Sequence, residues 1–205
     1  MVQYKVTYFD KRALAEIIRQ VLVVAEQDFE DVRYTPEEWL RHEAETPFGQ
    51  LPVLEVDGKQ LAQPFAIARF LARKFDIAGK NAFDEALVDS IADQLKDYVA
   101  EIRPFYNVER GFGEGGLSSL LLDVFFPARD KMFAIITKLL KSNESGYLIG
   151  DSVTWADLYL AEFAEIEKKV PFLYDDFPEV KAHSERVRSI PALKKWLATR
   201  PQTDF

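Results

Sequence analysis

Apolar and polar residues alternate over Tyr4-Lys5-Val6-Thr7-Tyr8, which predicts a strand, and the period changes after the short loop Phe9-Asp10-Lys11. From Arg12 to Glu26 the apolar residues Leu14, Ile17, Ile18, Val21, Leu22 and Ala25 recur at helical spacing, predicting a helix with one face in the core. Phe29-Glu30-Asp31-Val32-Arg33 predicts a second strand. Thr35-Pro36-Glu37-Glu38 marks a helix start, with threonine as N-cap, proline in the first turn and an acid placed to reach back to the cap. Trp39 falls in that short helix.

The next strand begins at Pro52, ends at a tight Asp57-Gly58 turn and returns as another strand, after which a helix starts at Pro64 and runs over about Phe65 to Phe75. Proline has no N–H to give a ladder, so the backbone around Pro52 is left to pair with something other than the sheet, and a peptide-like ligand is the first expectation. Residues 1–75 thus read βαβ, short helix, ββα: a parallel pair extended by an antiparallel hairpin, with helices on its faces. Residues 76–83, with Gly79-Lys80-Asn81, break the periodicity as a linker, and residues 84–205 are helical throughout. Leu87, Ile91, Leu95, Tyr98, Ile102 and Phe105 predict one long amphipathic helix, Gly111 to Gly116 a loop, and Leu117 to Lys141 a second long helix bent near Pro127. After the turn at Gly146 to Asp151, Thr154 and Asp157 form a capping box and Val153 faces Leu158 as a staple, opening a buried helix to about Lys169. Pro178 to Ser189 and Pro191 to Ala198 give two more helices.

Composition narrows the chemistry. With 205 residues, 48% of them hydrophobic and 13% aromatic, the chain can bury a sizeable core. A net charge of -8 argues against a nucleic-acid surface, which needs a concentrated basic face. The absence of cysteine removes disulfides, thiolate metal sites and a cysteine nucleophile, and His42 and His183 lack ligand-spaced partners, so neither a metal site nor a histidine-based triad is expected. No apolar run has the length of a membrane span and the N-terminus lacks a signal-peptide layout, which places the chain in the cytoplasm, away from membranes. Taken by themselves, Tyr8 reads as a buried strand tyrosine, Asp97 as a solvated helix charge, and Trp39 equally as packing or as an indole donor.

Several motifs in order change that balance: Tyr4 to Asp10 at the start, Pro47-Phe48-Gly49-Gln50-Leu51-Pro52-Val53-Leu54-Glu55-Val56-Asp57-Gly58, Ala66-Ile67-Ala68-Arg69-Phe70-Leu71, Gly150 to Asp157, and Arg200-Pro201-Gln202-Thr203. Across essentially its whole length the chain resembles the sigma-class glutathione S-transferases, near the prostaglandin D synthase and nematode members. The resemblance implies a thioredoxin-like α/β N-terminal domain followed by an all-α C-terminal domain, assembled as a cytoplasmic homodimer. It implies glutathione as co-substrate and small apolar electrophiles as partners, the chemistry of detoxification. Tyr8 then matches the hydroxyl that donates to the glutathione sulfur and favours the thiolate. Trp39 matches the donor at the glycine end. Pro52 matches a cis-proline whose preceding residue, Leu51, offers its backbone to the cysteinyl unit. Gln50 and Gln63 match contacts to the tripeptide, and Asp97 an acid reaching across the dimer. Phe9, Phe105 and Tyr106 are expected to line the electrophile pocket.

Three positions depart from the family pattern. Pro64 stands where the family has a serine whose hydroxyl and N–H bind the γ-glutamyl carboxylate, Glu43 where many relatives have a lysine, and Lys96 where a metal-binding acid sits in the synthase relative. No metal is therefore expected. The loss of donors at Pro64 keeps two other functions open: a carrier of haem or other apolar ligands with little catalysis, and a structural, crystallin-like dimer.

Overall fold

A computed structural model describes residues 2–203. Four strands, β1 (Tyr4–Phe9), β2 (Glu30–Tyr34), β3 (Val53–Val56) and β4 (Lys59–Ala62), form one sheet in the order β2-β1-β3-β4. β1 pairs parallel with β2 and antiparallel with β3, and β3 pairs antiparallel with β4. The parallel pair is therefore joined to the antiparallel hairpin β3–β4 by the pairing of β1 with β3, and on β1 Tyr4, Val6 and Tyr8 face the core. Asp57 and Gly58 both have positive φ, 49° and 79°, as a two-residue hairpin turn between right-twisted strands requires.

The helices of this part are α1 (Ala13–Val24), α2 (Pro36–His42) and α3 (Pro64–Lys74). In α1 the sequence-predicted face is modified. Ile17, Ile18, Val21 and Leu22 are buried as expected, but Leu14 is 46% exposed while Glu16 and Arg19 are both 0% exposed. Their charges are met by partners remote in sequence, Asp31 for Arg19 and Arg200 for Glu16, so burial follows pairing rather than hydropathy.

The second half contains α4 (Ala82–Glu101), α5 (Arg103–Glu109), α6 (Leu117–Leu120), α7 (Phe126–Ser142), α8 (Trp155–Ala161), α9 (Pro178–Arg188) and α10 (Pro191–Thr199). The single helix predicted through Phe105 is two, because Pro104 in the first turn of α5 has no N–H for the helix to continue through Ile102. Just before Pro127, where a bend is expected, a wide π-type turn over Leu121–Phe125 joins α6 to α7. Helix α8 is shorter than predicted and tightens into a 3-10 turn at Glu162–Ile166.

The chain divides into two compact units, Met1–Ala78 with Val187–Phe205, and Gly79–Arg186. In the first, α1 packs on α3 and α10. In the second, α4 packs on α7 and α8, and the buried Asp157 carboxylate accepts from the Thr154 amide (2.7 Å) and hydroxyl (2.6 Å) and from the Leu148 amide (2.8 Å). His183 Nε2 lies 2.8 Å from the same carboxylate. The expected cap is thus part of a larger buried network that ties α8 to the preceding turn and to α9. Among the described residues no helix is long and apolar enough to cross a membrane.

Candidate active site

The β1–β3 ladder ends at one edge with the antiparallel pair Thr7–Val53, and Tyr8 and Pro52 are the residues that follow this pair on the two strands. Tyr8 is 7% exposed. Its ring stands edge-on to Phe9 with centroids 5.6 Å apart, and Phe9 stands edge-on to Trp39 at 5.9 Å. Three residues selected from the sequence thus form one aromatic row.

Trp39 owes its place to the cap of α2. The Glu38 amide donates to Thr35 Oγ1 (3.2 Å) and the Thr35 amide to Glu38 Oε2 (2.8 Å), so the predicted capping box is complete. The bond from the Thr35 amide holds the Glu38 carboxyl below its usual value. At the other end of α2, His42 stacks flat on Tyr34 at 4.8 Å and its Nδ1 lies 2.9 Å from Glu45 Oε2.

The Gly49–Pro52 turn follows. Gly49 has φ +60, and Glu43 lies beside it at ordinary contact distance, 3.6 Å from Oε1 to where a Cβ would stand. The Leu51–Pro52 peptide is cis. Gln63, at φ 74, turns the chain from β4 into α3, Pro64 occupies the first helical turn, and Gln63 Nε2 donates to Gln50 Oε1 at 3.4 Å. The structure therefore joins Gln50 to Gln63 and sets Leu51 and Pro52 at the open end of β3. It also puts a carboxylate, Glu43, at the edge of this turn.

The other selected residues lie in the second unit. Asp97 and Lys96 are exposed on α4. On α5, Phe105 is 2% exposed and packs at 4.9 Å on Phe125, while Tyr106 is half-buried beneath the Arg110 guanidinium, 4.9 Å from its centroid. In the same unit, burial raises the hydroxyl pKa of both Tyr98 and Tyr159, so these phenols stay protonated at neutral pH. Sequence reasoning passed over Arg19, Asp31 and Arg33, charged residues on elements that otherwise pattern as core. No local sequence signal marks them, since a helical or strand period does not report the charged partners they meet.

Residues 4–73 match the family model for the glutathione S-transferase N-terminal domain, and residues 125–200 that for the glutathione S-transferase C-terminal domain. A probable glutathione S-transferase 7 of Caenorhabditis elegans is 53% identical, with 100% of each chain covered. The chain belongs to the glutathione S-transferase family. Among solved structures, a Nu-class transferase from Haemonchus contortus is 62% identical with a TM-score of 0.95 and 100% of both chains covered. A transferase from the hookworm Necator americanus, described as monomeric, is 61% identical with a TM-score of 0.97, covering 99% of this chain and 100% of that one. The thioredoxin-like α/β part and the helical part are those of this family's fold.

Proposed function

We propose that this transferase binds glutathione along the Gly49–Pro52 turn and uses Tyr8 to hold its sulfur as the thiolate. The observation that carries this reading is the Thr7–Val53 pair that ends the β1–β3 ladder with Tyr8 and Pro52 next along the two strands, and the ring contacts that run from Tyr8 through Phe9 to Trp39. Leu51 lies outside the β1–β3 ladder, so its backbone is available to an extended peptide, and Trp39, Gln50 and Gln63 supply polar groups on either side of it. The Tyr8 hydroxyl donates to sulfur. Because that bond is stronger to S⁻ than to S–H, it lowers the thiol pKa and raises the thiolate fraction at neutral pH. The sulfur lone pair then forms an S–C bond to an apolar electrophile. A leaving group departs with its bonding pair, or an activated double bond takes up the electrons and a proton. Phe9, next to Tyr8 in the same unit, supplies apolar surface for that partner.

The test is glutathione-dependent conjugation of a chromogenic aryl halide. Tyr8→Phe is expected to lower kcat by roughly 100-fold, the scale for removing one donor to a developing or held anion, while the KM for glutathione changes little. Absence of thiol-dependent turnover in the wild type at millimolar glutathione rejects the assignment.

On class and assembly the reading follows the nematode relatives. The 62% identity to a Nu-class enzyme favours that class over the sigma class. Asp97, exposed on α4, serves a neighbour's ligand only in a dimer, whereas the 61% identical Necator protein is described as monomeric. Sedimentation at micromolar concentration is expected to give a dimer, and a monomer removes Asp97 from the site.

A further inference from the structure

The turn that follows Tyr8 is held by side chains that the proposed chemistry does not use. Asp31 on β2 binds two guanidinium groups, one through each carboxylate oxygen: Arg19 Nε donates to Oδ1 and Arg33 Nε to Oδ2, both at 2.8 Å. Each arginine then reaches on to the turn. Arg19 Nη1 donates to the Lys11 carbonyl at 2.9 Å and more weakly to that of Arg12 at 3.5 Å, and Arg33 Nη1 donates to Asp10 Oδ1 at 3.0 Å. The Asp10 amide in turn donates to the Tyr34 carbonyl at 3.3 Å. Thus the residues joining β1 to α1 are fixed from both sides by a single carboxylate.

Two further observations bear on what this fixing is for. The turn ends at Ala13 with φ 34, a backbone conformation that residues bearing a Cβ rarely adopt and that persists only where surrounding contacts determine it. Arg19 has no exposed surface, so its charge depends on Asp31 and on Glu16 Oε2 at 3.4 Å, with no help from bulk water. Arg33 shows the same dependence. Burial pulls its pKa down, and the hydrogen bonds to Asp31 and Asp10 outweigh that and leave it above its ordinary value.

We infer that Asp31, Arg19 and Arg33 are positioning residues for the transferase reaction, a clamp that fixes the Tyr8 hydroxyl by fixing the turn after it. This rests on the reading of Tyr8 as the donor to the glutathione sulfur. None of the three is assigned to the ligand. They act through the length of the bond from the Tyr8 hydroxyl to sulfur, so loosening the clamp weakens thiolate stabilisation while the tripeptide contacts at Gln50–Pro52 and Gln63 are untouched.

The experiment is the pH profile of kcat/KM, with the bound thiolate followed by its ultraviolet absorbance, for wild type, Asp31→Asn and Arg19→Lys. For Asp31→Asn the midpoint of thiolate formation is expected to move to higher pH. Its kcat/KM then falls about five- to twenty-fold below that midpoint and converges on wild type well above it, where thiolate forms unaided, while the glutathione dissociation constant stays within about two-fold. Arg19→Lys keeps the buried charge without the forked reach, shifts the midpoint less, and carries the test if Asp31→Asn does not fold. Asp157→Asn, in the buried network of the second unit, serves as the control: it lowers stability and leaves the midpoint in place. Folded variants with the wild-type midpoint overturn the clamp, whether or not their rates fall. A wild type that forms no bound thiolate overturns the glutathione reading instead.

Discussion

At the scale of single residues, the site holds a conflict at Pro64. In the first turn of α3 proline is favoured, since its fixed φ suits the helix and its missing N–H has no intrahelical acceptor there. A serine at the same place offers a hydroxyl and an amide to a carboxylate. Hydrogen bonds to charged groups contribute roughly 1.5–3 kcal/mol each, so even one recovered bond corresponds to about ten-fold in affinity. Pro64→Ser is therefore expected to bind glutathione at least about ten-fold more tightly by calorimetric titration, and to lose about 0.5–1 kcal/mol of stability as the unfolded chain regains freedom. Equal affinity in the two proteins means that other groups already satisfy the γ-glutamyl end. Ala13 gives the opposite case. Its positive φ costs an alanine roughly 1–2 kcal/mol, so Ala13→Gly is expected to leave stability unchanged or raised in urea titration, where a glycine elsewhere in a helix lowers it.

Among the elements, α2 depends most on its own sequence. No residue of it is fully buried, so its order rests on the Thr35–Glu38 box, on Pro36, on the edge-to-face contact of Trp39 with Phe9 and on the stacking of His42 on Tyr34. The Glu38 carboxyl sits below its usual value, so its stabilising bond to the Thr35 amide is fully present above the unfolded carboxylate pKa of about 4.3 and is lost as the pH falls through the lowered folded value. Amide exchange in α2 should accordingly accelerate in acid before that of α1 or α3, and Glu38→Gln should remove the pH dependence. This box was legible because both of its members are local. So were the strand alternation of β1, the Asp57-Gly58 turn and the disturbance at Pro127. The break at Ile102 was hidden because the apolar spacing continues past Pro104 without interruption. On α1 the same spacing put Leu14 in the core and left Glu16 and Arg19 on the surface, since the groups that neutralise them are on β2 and near the C-terminus and a helical period does not report them. The role proposed for Tyr8 was likewise invisible in the residue alone and came from the order of several motifs.

For the molecule as a whole, α1 near the start of the sequence and α10 near its end meet on one buried carboxylate. Glu16 Oε1 accepts from Trp196 Nε1 at 2.8 Å and from Arg200 Nη1, while Oε2 meets Arg19, so α10 and the segment after it are fastened to α1 across nearly the full length of the sequence. Replacing such a group by a hydrophobic residue together with its partners can cost little, but removing it alone takes away a buried anion that Arg200, Arg19 and Trp196 all use. Glu16→Ala is therefore expected to cost about 3–5 kcal/mol by urea denaturation. Glu16→Gln should cost less, because the amide oxygen still accepts from Trp196 and only the charge is lost. If the clasp contributes through its charge, the pair Glu16→Gln and Arg200→Met should be less destabilised than the two single losses added together, since each removes the other's unpaired partner. Strict additivity would show that Trp196 packing on Phe29, with centroids 5.9 Å apart, holds the C-terminal segment and that the ion pair is incidental.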